Sequence, residues 1–305
     1  MMNARCLTLF KNTLPLQQTV WRQVSSKTQN LGSDIQYCIQ LVKKFDYENF
    51  LCTLLLPKAH QSPSFVLRAF NIEVAKVQDS VSEVNIGHVR LQFWENAVDN
   101  LYTDNVPVHP VVQALNKVEK LSKRNLRRLV TARLNLLQNK RFLNIEELEA
   151  HSENVVSCLF YLQLQVAGIS DLQADHTLSH IGKAQGITNI LRSVPYIPRS
   201  SPLPLDILAT HKVSQEMLIR QDTSKATQDA VFQIASAAKI HLDKARSLKA
   251  KLPPSVLPFL LPSVAVTSYL DRLQKADFNL FHPHLKVRDG FLPAKLWWNK
   301  TMKTY

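Results

Sequence analysis

An all-α fold is predicted for this chain on three observations. Only six glycines occur in 305 residues, and hairpin turns consume glycine. From residue 35 onward apolar residues recur every three or four positions, the period of one helix face. No stretch alternates apolar and polar residues for long enough to make a half-buried strand. Hydrophobic residues make up 45% and charged residues 20%, a globular balance rather than a disordered one.

Ile35, Cys38, Ile39 and Val42 mark the first helix. Helices near 63–80 and 85–102 follow, the latter with Val89, Phe93, Val98 and Leu101 more loosely spaced. The segment 122–141 is the clearest. Leu126, Leu129, Val130, Leu134 and Leu137 line one side, while Lys123, Arg124, Arg127, Arg128 and Arg133 fall mostly off it. Further helices are expected near 145–166, 175–194, 223–250 and 263–276. Pro57, Pro63, Pro107–Pro110, Pro195–Pro204 and Pro253–Pro262 set the breaks. Asp175 is placed to cap the helix that starts near His176, and Pro195 to stop it. No repeat and no long linker interrupt 34–305, so one helical domain is expected there.

Residues 1–33 differ in kind. They hold Arg5, Lys11, Arg22 and Lys27 but no acid, with Ser, Thr and leucines interspersed. That is the composition of a mitochondrial transit peptide, an amphipathic basic segment drawn to a negative-inside potential. Arg22-Gln-Val ahead of Ser25-Ser26 is a plausible cleavage neighbourhood. The other account of these residues is a plain basic tail.

Several function classes are excluded or weakened. No GxGxxG or GxxxxGK[ST] occurs, which removes the commonest nucleotide loops. Cys6, Cys38, Cys52 and Cys158 form no CxxC pair, which suits a reducing compartment. The net charge of +13 favours an acidic partner surface. Residues 117–141 concentrate it, with one acid, Glu119, and no aromatic residue to stack on a base. A solvated helix face is the expected role there, and an anionic membrane surface the functional alternative. His176 and His180 share a helix face and could hold zinc if a third ligand arrived from elsewhere, but no HExxH and no nearby Cys accompanies them, so ordinary polar helix positions are expected. Leu252–Leu270 is uncharged, yet Pro253, Pro254, Pro258 and Pro262 break its first half. A helical hairpin is expected, not a membrane span. Gly182 and Gly186, with Lys183 and Gln185 between them, predict a close approach of another helix or of a ligand.

The run Ile181-Gly-Lys-Ala-Gln-Gly-Ile-Thr-Asn-Ile-Leu-Arg-Ser-Val194, with Leu203-Pro204 downstream, resembles the second signature of the squalene/phytoene synthase family. Leu67-Arg-Ala-Phe-Asn-Ile-Glu-Val-Ala-Lys-Val-Gln-Asp79 is similar to its first signature. Arg90-Leu-Gln-Phe-Trp94 and His109-Pro-Val-Val112 resemble its intervening segments. The resemblance covers about Asp34 to the C-terminus. It implies the isoprenoid-synthase bundle around a deep apolar cavity. In active members it implies two facing aspartate-rich patches whose Mg²⁺ ions clamp a prenyl diphosphate.

The departures from that pattern set the functional expectation. The first patch's paired aspartates fall on Ala75 and Lys76, and only Asp79 survives. In the second patch the carboxylate positions fall on Ser193, Tyr196 and Ile197, beside retained Asn189 and Arg192. These are vestigial motif positions, with Gly182 and Gly186 expected at the cavity wall. No catalytic residue, metal or cofactor is expected. Together with the basic leader, the pattern resembles the family's mitochondrial branch that serves assembly of respiratory complex I. That resemblance implies a non-catalytic protein, peripheral on the matrix side of the inner membrane. Its implied partner is an early complex I intermediate or a membrane-arm subunit, not nucleic acid. Two alternatives stay open: a Mg²⁺-dependent prenyltransferase with substitute ligands, and an isoprenoid- or lipid-binding protein that kept the cavity.

Overall fold

The computed structural model describes residues 31–81, 83–103, 105–139, 141–196 and 201–305. Residues 1–30 of the expected leader, and Ile197, lie outside them. The described residues contain helices and no strand. In chain order the helices are α1 (Leu31–Phe45), α2 (Tyr47–Leu54), α3 (Lys58–Asp79), α4 (Val84–Asn100), α5 (Pro110–Asn116), α6 (Lys123–Asn139), α7 (Ile145–Ser152) and α8 (Cys158–Val166). There follow α9 (Leu172–Ser193), α10 (Leu205–Thr210), α11 (Gln215–Ile219), α12 (Lys225–Ser247), α13 (Pro262–Lys275), α14 (Pro283–Lys286) and α15 (Leu292–Thr301).

Of the four apolar clusters among the described residues, two are the largest. In the first, Leu67 and Phe70 of α3 meet Leu91 and Trp94 of α4, Leu126 and Leu129 of α6, and Leu162 of α8. In the second, Ile187 and Leu191 of α9 meet Val231 and Ile234 of α12 and Leu273 of α13. Each such side chain contributes about 1.5–3 kcal/mol when fully buried. The motif-like segments between the signatures are structural. Trp94 packs edge-on to Phe70 at 5.7 Å and to His109 at 5.1 Å. His109 Nδ1 accepts from Val111 N at 3.2 Å, capping α5 just where Pro110 supplies its first residue.

Some expectations are corrected. The break falls at Pro57, the N-cap of α3, while Pro63 sits inside that helix. Pro63 removes only one backbone bond, in the second turn, and the helix tolerates it. Asp171, not Asp175, caps α9, its carboxylate accepting from Ala174 N at 2.7 Å. The proline-rich start of the uncharged run is a 3-10 segment, Pro254–Leu260, leading into α13. Val256, Phe259 and Leu260 are buried there. No helix among the described residues is long and apolar enough to cross a membrane.

Between α7 and α8 the chain forms a π-helical segment, Glu153–Ser157, where one helix was expected over 145–166. Bonding in the i→i+5 pattern returns the chain to one face at a longer interval than an α-turn does. Ser152 and Ser157, five apart, thereby both meet α9. An added Cβ at Gly186 would lie 2.3 Å from Ser152 Cβ, and one at Gly182 would lie 2.7 Å from Ser157 Cα. The segment is fastened by Glu153, whose carboxylate accepts from Tyr161 Oη and from Ser179 Oγ, each at 2.7 Å.

Arg133 departs from the solvated face expected of α6. It is buried, and donates to Leu129 O and to Asn71 Oδ1 of α3, each at 2.6 Å. Burial lowers the pKa of His151 to about 4, and the Arg133 charge adds to this. His151 is therefore neutral in the fold and protonates near its usual 6.5 only when unfolded. Its contribution is present above about pH 6.5 and is lost as pH falls towards 4. Between pH 7 and 4.5 the parent is expected to lose about 2–3 kcal/mol more than His151→Gln. Urea unfolding midpoints of the two proteins at both pH values check this, and parallel slopes would count against it.

Candidate functional site

A cavity of about 480 Å³ opens between the α1–α2 junction, α3, the π segment, α9 and residues 288–292. Ala75, Lys76 and Asp79 line it from α3, and Asn189 and Arg192 from α9. The two signature helices thus face each other across one space. Ile72, Val155, Val156, Leu159 and Leu292 form its apolar part. Phe45 and Ala75 add to that part, and charged and amide side chains make up most of the remainder, a mixed wall that differs from the apolar cavity the resemblance implied.

The other predicted positions fall outside this space. Gly182 and Gly186 do not line it, because they are consumed in the crossing of α9 with Ser152 and Ser157. Ser193 turns its hydroxyl back onto Ile190 O at 2.7 Å. Tyr196 is exposed and borders a smaller recess of about 180 Å³ that Arg192 shares. Ile197 is not among the described residues.

Several charged groups of the cavity wall are engaged in ion pairs, while Lys44 and Arg288 lie over the Phe45 and Tyr47 rings. Arg192 Nη1 donates to Glu48 at 2.6 Å, and its guanidinium lies 4.3 Å from the centre of the Tyr269 ring. Arg68 lies 3.4 Å from Asp46. Asp289 is held by Lys295 at 2.8 Å. Lys76 pairs with Glu73 at 3.5 Å and covers the Phe45 ring. Asp79 is the one carboxylate left at the motif positions, and burial raises its pKa.

This donor set does not fit a Mg²⁺ cluster. Mg²⁺ demands near-octahedral oxygen coordination, typically with carboxylates free to bind it. Here Asp46, Glu48 and Asp289 already serve Arg68, Arg192 and Lys295. Lys76 adds an ammonium one turn from Asp79. Among the described residues no three His, Cys, Asp or Glu side chains are grouped to share a metal ion. His180, weighed above as a ligand, instead places Nδ1 2.9 Å from His241 Nδ1, while His241 Nε2 lies 3.1 Å from Glu149.

The sequence reading missed Arg68 and Gln185, although both stand inside the quoted signatures. Arg68 Nε, Gln185 Oε1 and Arg192 Nε are buried without a hydrogen-bond partner, and all three residues line the cavity. A buried polar atom left unsatisfied costs about 1–3 kcal/mol, so a polar group that reached these atoms would relieve that cost.

Comparison with known proteins gives this arrangement its class. The family profile "Squalene/phytoene synthase" matches residues 42–290. The chain belongs to the squalene/phytoene synthase family. A dehydrosqualene synthase solved in complex with ligand superposes with a TM-score of 0.76, over 89% of this chain and 96% of that one, at 17% identity. The bundle is accordingly the isoprenoid-synthase-like fold expected above. Much nearer in sequence is the protein named "NADH dehydrogenase (ubiquinone) complex I, assembly factor 6" in Bos taurus. It is 45% identical over 279 residues, covering 90% of this chain and 84% of that one. Its Homo sapiens counterpart matches at the same identity and coverage.

Proposed function

We propose that this chain is a non-catalytic assembly factor of mitochondrial respiratory complex I. It acts early in biogenesis on an intermediate that contains a membrane-arm subunit. The observation that carries the reading is the 45% identity over nine-tenths of the chain to proteins named for that role. The cavity supports it from the chemical side, since Asp46, Glu48 and Asp289 are engaged with arginine and lysine, and Asp79 alone cannot form a metal clamp. In this reading residues 1–33 direct import, residues 34–305 are the working domain, and the protein sits peripherally on the matrix face of the inner membrane.

The test is rescue. Cells deprived of the chain should lose assembled complex I, measured on native gels, and regain it with the full chain. A version with Arg5, Lys11, Arg22 and Lys27 changed to Gln should accumulate outside mitochondria and fail. Complex I that is unaffected by removal of the chain would overturn the assembly reading. Import of the Gln version at the parental level would overturn the leader.

The unpartnered Arg68 Nε, Gln185 Oε1 and Arg192 Nε favour a second reading that is compatible with the first. In it the cavity holds a lipid or isoprenoid, with an anionic group against the two arginines and the chain along Val155, Val156 and Leu159.

A further inference from the structure

We infer that α15 and its flanks are a docking surface for an anionic phospholipid bilayer. The inference deepens the peripheral-membrane part of the function proposed above, and rests on it. Leu292 and Leu296 fix the inner face of α15 on Cys52, Leu261, Val264 and Ala265. An ordinary surface helix would be polar on the opposite side. Here that side carries Phe291, Trp297, Trp298 and Met302, at 78, 60, 57 and 51% exposure. In helical projection Phe291, Ala294, Trp298, Thr301 and Met302 fall on one outward stripe, with Trp297 at its edge. A helix that is apolar on both sides is built to be covered on both sides.

Charge identifies the cover. Residues 283–305 contain Lys286, Arg288, Lys295, Lys300 and Lys303 against a single acid, Asp289. That acid is already bound by Lys295 Nζ and Ser268 Oγ. Among the described residues no carboxylate comes within ion-pair distance of Lys286, Lys300 or Lys303. Lysine is depleted from the cores of protein–protein interfaces. Lysines flanking an exposed Trp, Phe and Met stripe are the composition of helices that lie in the headgroup layer of anionic membranes. The placement also has a use. Arg288, Asp289 and Leu292, on the same segment, line the cavity, so a docked protein holds that wall of the cavity near the lipid.

The experiment is flotation of the purified full chain with two kinds of vesicle, phosphatidylcholine alone and phosphatidylcholine with 30% phosphatidylglycerol by design. The parent is expected to float with the anionic vesicles and not with the neutral ones. Lys300→Gln/Lys303→Gln should bind roughly 25-fold more weakly, about fivefold per charge removed. Trp297→Ser/Trp298→Ser should bind at least about tenfold more weakly. Both pairs are exposed, so circular dichroism and the thermal transition should match the parent. A Trp double variant that floats like the parent would overturn α15 as the contact and leave the peripheral reading standing. A parent that floats with neither vesicle would overturn both. A parent that ignores vesicles, paired with a Trp variant that fails to rescue complex I, would assign the face to a protein and overturn the lipid.

Discussion

The double variant Gly182→Ala/Gly186→Ala is expected to be less stable than the parent, although alanine is the better helix former. In an open helix each change would gain about 1 kcal/mol. At these two positions the new methyl would meet the backbone of Ser157 at 2.7 Å and the Cβ of Ser152 at 2.3 Å. Backbone cannot swing aside as a long side chain can, so α9 must move away from the π segment. Overpacking of this kind costs about 1–3 kcal/mol per site. The movement also strains the bonds from Ser157 Oγ and Ser179 Oγ that join the two elements. Gly182→Val/Gly186→Val adds bulk at the same points and should leave little folded protein. Urea unfolding midpoints decide the matter. A double alanine variant that gains stability would mean that the helices do not approach this closely.

The second large effect is on turnover. With Mg²⁺ and farnesyl or geranylgeranyl diphosphate, the chain is expected to turn over at least roughly 10⁴-fold more slowly than an active dehydrosqualene synthase of the same fold. One preorganised charge-stabilising group is worth about 10²–10³ in rate, and Ala75, Lys76 and Ser193 alone remove more than two from the expected clamp. Asp79→Asn should leave that baseline unchanged and should still rescue complex I. Turnover by the parent that disappears in Asp79→Asn would overturn the non-catalytic reading. Native mass spectrometry on the same samples separates catalysis from binding. A lipid retained by the parent and lost in Gln185→Leu would place a ligand in the cavity without any reaction.

Much of the fold was legible because its signals are local. The apolar period of α6, the proline punctuation and the two signature runs needed no knowledge of neighbours. Arg133 was not legible. The helical spacing places it inside the apolar stripe, between Leu126 and Leu129 in projection, but its charge argued for solvent, and the acceptor that makes burial favourable, Asn71 on α3, has no local signal. Gly182 and Gly186 announced a close approach, but a helix and a ligand leave the same trace in sequence. The five-residue spacing of Ser152 and Ser157 pointed away from a shared face, because an α-turn would set them well apart. The site was half legible. Residues 75, 76, 79, 189 and 192 come together as the signatures implied. The pairing of Arg192 with Glu48, 144 positions away, has no local signal.

The π segment has a consequence for how this chain tolerates change in length. Deleting one residue between Ser152 and Ser157 would let the turn relax into ordinary α-helix, a change that a sequence comparison would score as minor. In space it is a shift of phase. Everything on the α7 side would rotate by about 100° relative to α8, carrying Ser152 out from under Gly186 and exchanging the neighbours of Leu148. Substitutions along the same stretch would alter one contact each, whereas a gap there would re-index a whole helix against the bundle.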